Sequence, residues 1–436
     1  MVSRITALGS RVRSSLFFVP MLCVLGGAVL GQAMLAVDAQ VTGIDPRLTA
    51  TVDSARTVLT TVAGATLSFA GIAFSVSLLL ISLASSQYSP RVVHGMFRDP
   101  FNKRVMGLVI GTFTYCLVVL RAVRSSLEGT EEPIVPSVSI LLAVLLGIAS
   151  VLAIIAFINH GAHSMDVSKI LHRVTQEALQ QASSGWPDPD PDPDPDSDRQ
   201  LGGGDGDLPE DATVVRFTSY GWVENVDFDR LLQVLPPGSR ARLETFAGRY
   251  AIQNTPVCRV WPPVDDETVH DSIRAAVMVG ETRTMQQDVA YGVRQLADVA
   301  LKAMSPGVND PTTAHDAISH TGTVLADLLC RVPPAQHLAG ERGQVLLVPH
   351  ATTYAMLVGL AFDEVRLVSA EDPAVLIYLL DVIHQVEQSI DHLHRPEAVA
   401  ALRTQAELVR SMVEDADVPE RDRQRVRDAY LAWHNA

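Results

Sequence analysis

The residues best spaced to do chemistry lie in one apolar stretch. Thr61, Gly64, Ser68, Gly71, Ser75, Leu78, Ser82, Ser85 and Ser89 follow alternating steps of three and four, which places them on one face of a helix. Small residues let helices approach closely in lipid, and hydroxyls can bond across the contact. Two readings of this seam stay open. It is a tight helix-packing surface, or it is a hydroxyl-lined path for ions on the axis of an oligomer. The centres of the apolar runs carry no Asp, Glu, Lys or Arg. That counts against a proton-coupled pump, which needs ionisable relays within the membrane, and leaves a passive channel open.

Other candidates are shorter. His160, His163 and Asp166 fall at i, i+3 and i+6 just past an apolar run. They read as polar anchors of an interfacial helix, or as a gate sensitive to pH or metal, because imidazole titrates near neutrality. Asp316 and His320 are four apart, and His384, Asp391, His392 and His394 gather near a helix end. Neither set has the spacing of a strong metal motif. The densest pattern is residues 280–314, GETRTMQQDVAYGVRQLADVALKAMSPGVNDPTTA. Arg283, Asp288, Arg294, Asp298, Asn309 and Asp310 are its candidate ligand-binding residues. Arg294 and Asp298 form an i, i+4 ion pair. Asn309 and Asp310 stand beside the free amides of a helix start, which can hold an anion. A salt-bridged helical hairpin without a ligand is the plainer reading.

The chain has no P-loop, GxGxxG, HExxH or GxSxG. No catalytic residue is named, and no cofactor or metal is implied. The four cysteines, Cys23, Cys116, Cys258 and Cys330, are far apart and make no CxxC pair, so neither a disulfide framework nor a zinc site is expected. The net charge is −15, from 34 Lys+Arg against 49 Asp+Glu. With no long basic run, nucleic acid is not an expected partner. Residues 186–211 alone carry ten acidic residues against one arginine.

These side chains need elements to position them. Charged residues make up 19% of the chain against 47% hydrophobic, and the mean hydropathy is +0.20. A soluble domain carries about 25% charged residues, so part of this chain belongs in lipid. Four apolar runs approach or reach the ~20 residues a spanning helix needs: residues 16–37, 58–84, 105–120 and 134–158. The first follows Arg4, Arg11 and Arg13 but is longer than the ~7–15 residues of a signal-peptide core, so it reads as an uncleaved helix. Arginine and lysine mark the cytoplasmic side. They crowd the N-terminus and the second loop, with Arg91, Arg98, Lys103 and Arg104. The expected topology therefore has both termini cytoplasmic, in the inner (plasma) membrane.

The expected organisation is a transmembrane domain over residues 1–181, whose fourth span continues as a helix into the cytoplasm. A Pro-Asp linker follows over 182–211, where proline and mutual charge repulsion forbid a core. A small β-rich module occupies 212–265. A mainly helical domain occupies 266–436, with one long helix over 271–304, and with Asp310 and Pro311 starting the next helix as N-cap and first residue. The fold class is a four-helix α transmembrane region followed by a cytosolic α+β region.

Several stretches resemble one family: LASSQYSPRVVHGMFRD (83–99), FAGIAFSV (69–76), FINHGAHSMDVSKI (157–170), GWVENVD (221–227) and the 280–314 block. It is the bacterial predicted-membrane-protein family catalogued as domain of unknown function 2254. The similarity runs from about residue 14 to about residue 394. It implies a multi-pass inner-membrane protein with a cytosolic C-terminal region, and it brings no catalytic residues. The combined expectation is an oligomeric channel or pore-like protein gated by its cytosolic domain. The alternative is a membrane-anchored ligand sensor or scaffold. The expected partners are the lipid bilayer, further copies of the chain, and small ions or a small cytosolic ligand.

Overall fold

The computed structural model describes residues 18–40, 51–87, 100–123, 136–164, 166–188, 208–348, 352–393 and 395–434. Most of the Pro-Asp segment, His394, Ser89 and the basic residues Arg4, Arg11, Arg13, Arg91 and Arg98 lie outside these. The chain forms two compact units, residues 1–166 and 167–436.

The first unit holds four helices long and apolar enough to cross a membrane: α1 (Phe18–Asp38), α2 (Val52–Gln87), α3 (Pro100–Ala122) and α4 (Ser137–Ser164). Their outward faces carry large apolar side chains, among them Leu22 and Leu25 on α1, Phe74 on α2, and Leu145 and Ile155 on α4. The inner faces form two clusters. One joins Leu59 and Ala63 to Tyr115, Val119, Ile140 and Ala143. The other joins Ala73, Val105, Val109, Ile154 and Phe157. The closest approach is between α1 and α3, and glycine makes it possible. A Cβ on Gly27 would collide with the backbone oxygen of Gly111, and one on Gly107 would lie 2.6 Å from Cys23 Sγ. Gly27 thus faces Gly111, while Gly31 receives Val118 and Gly107 receives Cys23, in the small-xxx-small manner of membrane helices.

Asp38, at the end of α1, closes the start of α4. Its carboxylate accepts from Val138 N at 2.9 Å and Ser139 N at 3.0 Å. These donors have no partner within their own helix, and the helix dipole favours the negative charge. Asp38→Ala is expected to cost about 1–2 kcal/mol, read as a lower thermal midpoint in detergent. An unchanged midpoint would remove the cap from the account.

The second unit starts with α5 (Val167–Gly185). The expectation that the fourth span runs on to residue 181 is therefore corrected, since α4 ends at Ser164 and a separate helix begins at Val167. The composition changes there too. α5 is amphipathic and buries Ile170, Leu171, Val174, Ala178 and Ala182 within the second unit.

The strands are β1 (Thr213–Arg216), β2 (Gly221–Val226), β3 (Arg240–Leu243), β4 (Tyr250–Ala251), β5 (Pro256–Trp261), β6 (Val277–Gly280), β7 (His337–Ala339) and β8 (Val345–Leu347). They make a five-stranded sheet, β1-β5-β3-β8-β7, and a three-stranded sheet, β4-β2-β6. All pairings are antiparallel except β3 with β8. The module expected to end at residue 265 thus recruits three strands from beyond it. Two short helices, α6 (Phe228–Val234) and α7 (Glu267–Ala276), pack with the sheets. The shared core includes Val215, Val223, Leu231, Leu243, Val257, Ile273 and Leu346.

The single helix expected over 271–304 is also corrected. The segment forms α7, then β6, then a loop, then α8 (Val289–Ala303). Val277 and Val279 are β-branched and suit a strand, and β2 supplies their partners. Asp288 then caps the new helix. The rest is a helical bundle of α9 (Pro311–Cys330), α10 (Tyr354–Val368), α11 (Pro373–Ile390), α12 (Pro396–Asp415) and α13 (Glu420–His434). α8 runs through its middle, packed on α5, α9 and α10.

Candidate functional site

Three places in the fold collect the residues singled out by the sequence. The first is α2. Thr61, Gly64, Ser68, Gly71, Ser75, Leu78 and Ser82 are all exposed. A Cβ built on Gly64 or Gly71 meets nothing within 4 Å. The buried face of α2, with Ala55, Leu59, Ala63, Thr66 and Ala73, is the opposite one. Among the described residues, the seam therefore does not pack inside its own four-helix unit. Ser68 donates back to the Gly64 carbonyl at 3.0 Å, which satisfies its hydroxyl hydrogen and leaves the oxygen as an outward acceptor. Only the backbone of Ser85 is described.

The second place is the end of α4. The His160 ring packs on Phe101 with centroids 4.6 Å apart, and His163 Nδ1 lies 2.8 Å from the Asn159 carbonyl. Asp166 falls beyond the last residue of the helix. His160 and His163 therefore share one helix that Asp166 does not.

The third place is the 280–314 block, which the fold spreads along the whole length of α8. Arg283 and Asp288 meet ahead of its first turn. Arg283 Nε donates to Asp288 Oδ2 at 2.6 Å, and Asp288 Oδ1 accepts from Tyr291 N at 3.2 Å. Asp288 is 7% exposed. Burial pushes its carboxyl above the ordinary carboxylate range, against the opposing pull of Arg283 and the helix amide. The Arg283 guanidinium lies 4.9 Å from the Tyr291 ring centroid and 5.7 Å from that of Trp222. Gly248, at φ +90°, leaves room for the carboxylate, which a Cβ there would strike.

Further along α8, Arg294 joins two carboxylates. It donates to Asp298 at 2.7 Å and to Glu364 of α10 through both terminal nitrogens. Asn309 and Asp310 stand past the far end of the helix, about 20 Å from Asp288 at 1.5 Å per residue. Asn309 takes a left-handed backbone, φ +47°. Asp310 accepts from Thr313 N at 3.1 Å, and that amide with the Thr313 hydroxyl holds its carboxyl below the ordinary range. Its own carboxylate thus occupies the place expected to receive an anion. The block is three separate arrangements, not one ligand site.

The histidines are engaged locally. His320 Nδ1 lies 2.8 Å from Thr175 Oγ1. Burial, with His172 nearby, lowers its pKa against the attraction of Asp316. His384 contacts Gln388 and stands edge-on to Trp433, while Asp391 and His392 are exposed in a 3-10 turn. No three His, Cys, Asp or Glu side chains converge as metal ligands among the described residues.

Beside Asp288 the second unit opens a cavity of about 450 Å³. Its walls include Gln181 and Trp186 from the end of α5, Asn225 of β2, Phe246, and Gln286 ahead of α8. Gln287 fixes one wall by bonding both backbone groups of Val226, at 2.8 and 3.0 Å. Sequence reasoning named only Asp288 here, because the walls come from segments far apart in the chain. It also missed Asp38 and the glycine pairs of α1 and α3. The repeated Gly-xxx-Gly spacing was the available signal for the latter.

A family model described as a predicted membrane protein, DUF2254, matches residues 13–385. An uncharacterized protein of Mycobacterium bovis (strain ATCC BAA-935 / AF2122/97) is 28% identical over 363 residues, covering 81% of this chain and 67% of its own length. One from Mycobacterium tuberculosis (strain ATCC 25618 / H37Rv) matches with the same figures. No solved structure matches.

Proposed function

This chain belongs to the DUF2254 family of predicted membrane proteins, and from that premise we propose that it forms a homo-oligomeric pore for small ions, gated by a cytosolic C-terminal unit. One observation carries the reading: among the described residues, the small, hydroxyl-bearing face of α2 is exposed, and Gly64 and Gly71 on it have open space around them. In lipid, the advantage of such a face is close approach by another helix. Copies arranged around an axis would turn the outward oxygens of Ser68 and Ser75 toward a shared path. The placement of both termini in the cytoplasm, on the inner membrane, rests on the arginines and lysines flanking the spans.

Monovalent-ion flux from liposomes holding the purified protein tests this. Ser75→Leu puts an apolar constriction on the path and is expected to cut flux by about tenfold or more through dewetting. Wild-type flux in the variant would remove α2 from the path.

The cavity beside Asp288 favours a second reading, a membrane-anchored ligand sensor or scaffold without transport. That reading predicts ligand binding by the full chain with no flux at any pH or voltage.

A further inference from the structure

We infer that the cavity beside Asp288 binds an uncharged, planar, hydrogen-bonding heterocycle of the nucleobase type, as a free base or nucleoside. This rests on the ligand-binding part of the second reading and is independent of ion flux. The volume of about 450 Å³ falls within the ~300–1,000 Å³ of small-molecule sites.

Charge narrows the class first. Among the described residues the walls carry no Lys, Arg or His, so a phosphate or carboxylate finds no cation on them. An ammonium fares no better. The charge of the Asp288 carboxylate is already balanced by the Arg283 guanidinium, and its other oxygen accepts from the Tyr291 amide. What the cavity offers is neutral hydrogen bonding. Gln181, Asn225 and Gln286, three residues with carboxamide side chains, line it. A carboxamide presents donor and acceptor side by side, the pairing that lets Asn and Gln read the edge of a base. The remaining requirement is a flat apolar surface. Trp186, Phe228 and Phe246, three aromatic residues, line the same space, and base–aromatic stacking tolerates any base.

The test uses the full chain in detergent, unfolded thermally with adenosine, guanosine, cytidine or uridine, and in parallel with their 5′-monophosphates. At about ten to a hundred times the dissociation constant, a bound nucleoside is expected to raise the midpoint of the second unit by about 3–10 °C. The matching monophosphate should give a smaller rise. Trp186→Ala should abolish the shift. Since Trp186 is buried and its loss could unfold the unit, Gln181→Leu, at a half-buried position, serves as the second variant and should reduce the shift at least to half. A shift equal to wild type in a folded Gln181→Leu or Trp186→Ala protein overturns the assignment. Monophosphates binding as well as nucleosides overturn the uncharged class while leaving a ligand site. No shift with any of the eight compounds overturns the inference and weakens the sensor reading with it, without touching the flux measurement.

Discussion

Gly27→Leu should destroy the four-helix unit, while Gly64→Leu should leave it folded. Both replace a glycine in an apolar helix, so hydropathy and helix propensity change alike. The difference is what each new side chain meets. At Gly27 even a Cβ falls on the Gly111 carbonyl oxygen, a backbone atom that cannot rotate away. α1 and α3 would have to part along the length of their contact, pulling Gly31 off Val118 and Cys23 off Gly107. Overpacking a core costs about 1–3 kcal/mol and more when the backbone must move. The upper end or beyond applies here. At Gly64 the space is open. Size-exclusion profiles and thermal midpoints in detergent read the contrast directly. A monodisperse Gly27→Leu protein with the wild-type midpoint would mean that the α1–α3 contact is wrong. The same pair bears on oligomers. If copies meet along α2, Gly64→Leu should yield folded protomers that no longer assemble.

Arg283→Ala should destabilise the second unit by about 2–4 kcal/mol, because removing one partner leaves a buried charge without compensation. Asp288 also loses the cation that restrains its rise in pKa. A carboxyl whose folded pKa lies above its unfolded value gives stability that is complete below the unfolded pKa and is lost as pH rises through the folded one. Burial already puts Asp288 in that class. Without Arg283 the rise is larger, so the deficit of the variant relative to wild type should shrink as the pH falls toward about 4, where the unfolded carboxyl also protonates. Denaturant midpoints at several pH values measure it. An equal deficit at pH 8 and pH 5 would show that Arg283 acts by packing on Trp222 and Tyr291 alone. Adding Asp288→Asn to Arg283→Ala should recover part of the loss, since the double variant buries no charge.

The elements that depend on local chemistry were legible from the letters alone. The four apolar runs are the four long apolar helices, and Asp310 with Pro311 starts α9. What depends on distant partners was not. The run from 271 to 304 keeps a helical period, and nothing within it tells that Val277 and Val279 will pair with Val226 and Val223. The seam of α2 was visible as a face, but which face of a helix turns inward is set by the other three helices. There the spacing of Gly27 with Gly31 and of Gly107 with Gly111 held more information than the serines did. At the candidate site, Arg283 and Asp288 were recognisable as neighbours in sequence. The carboxamides and rings around them were not, because Gln181, Asn225, Phe246 and Gln286 come together only when α5, the sheets and α8 have folded.

The parallel pairing of β3 with β8 has a consequence for the protein as it is made. Arg240 lies opposite Val345, about a hundred residues later, with α7, α8 and α9 in between. At about 5–20 residues per second, the ribosome takes about 5–20 s to deliver the second strand after the first. During that interval the edge of β3 that will receive β8 has unpaired backbone groups, the usual template for aggregation. The strand reads Arg240-Ala241-Arg242-Leu243. Its two arginines alternate with the residues that enter the core, and charge on an exposed edge discourages a second chain from pairing there. The guanidinium groups of β3 thus act as gatekeepers for a nascent edge, protecting it until its own partner emerges.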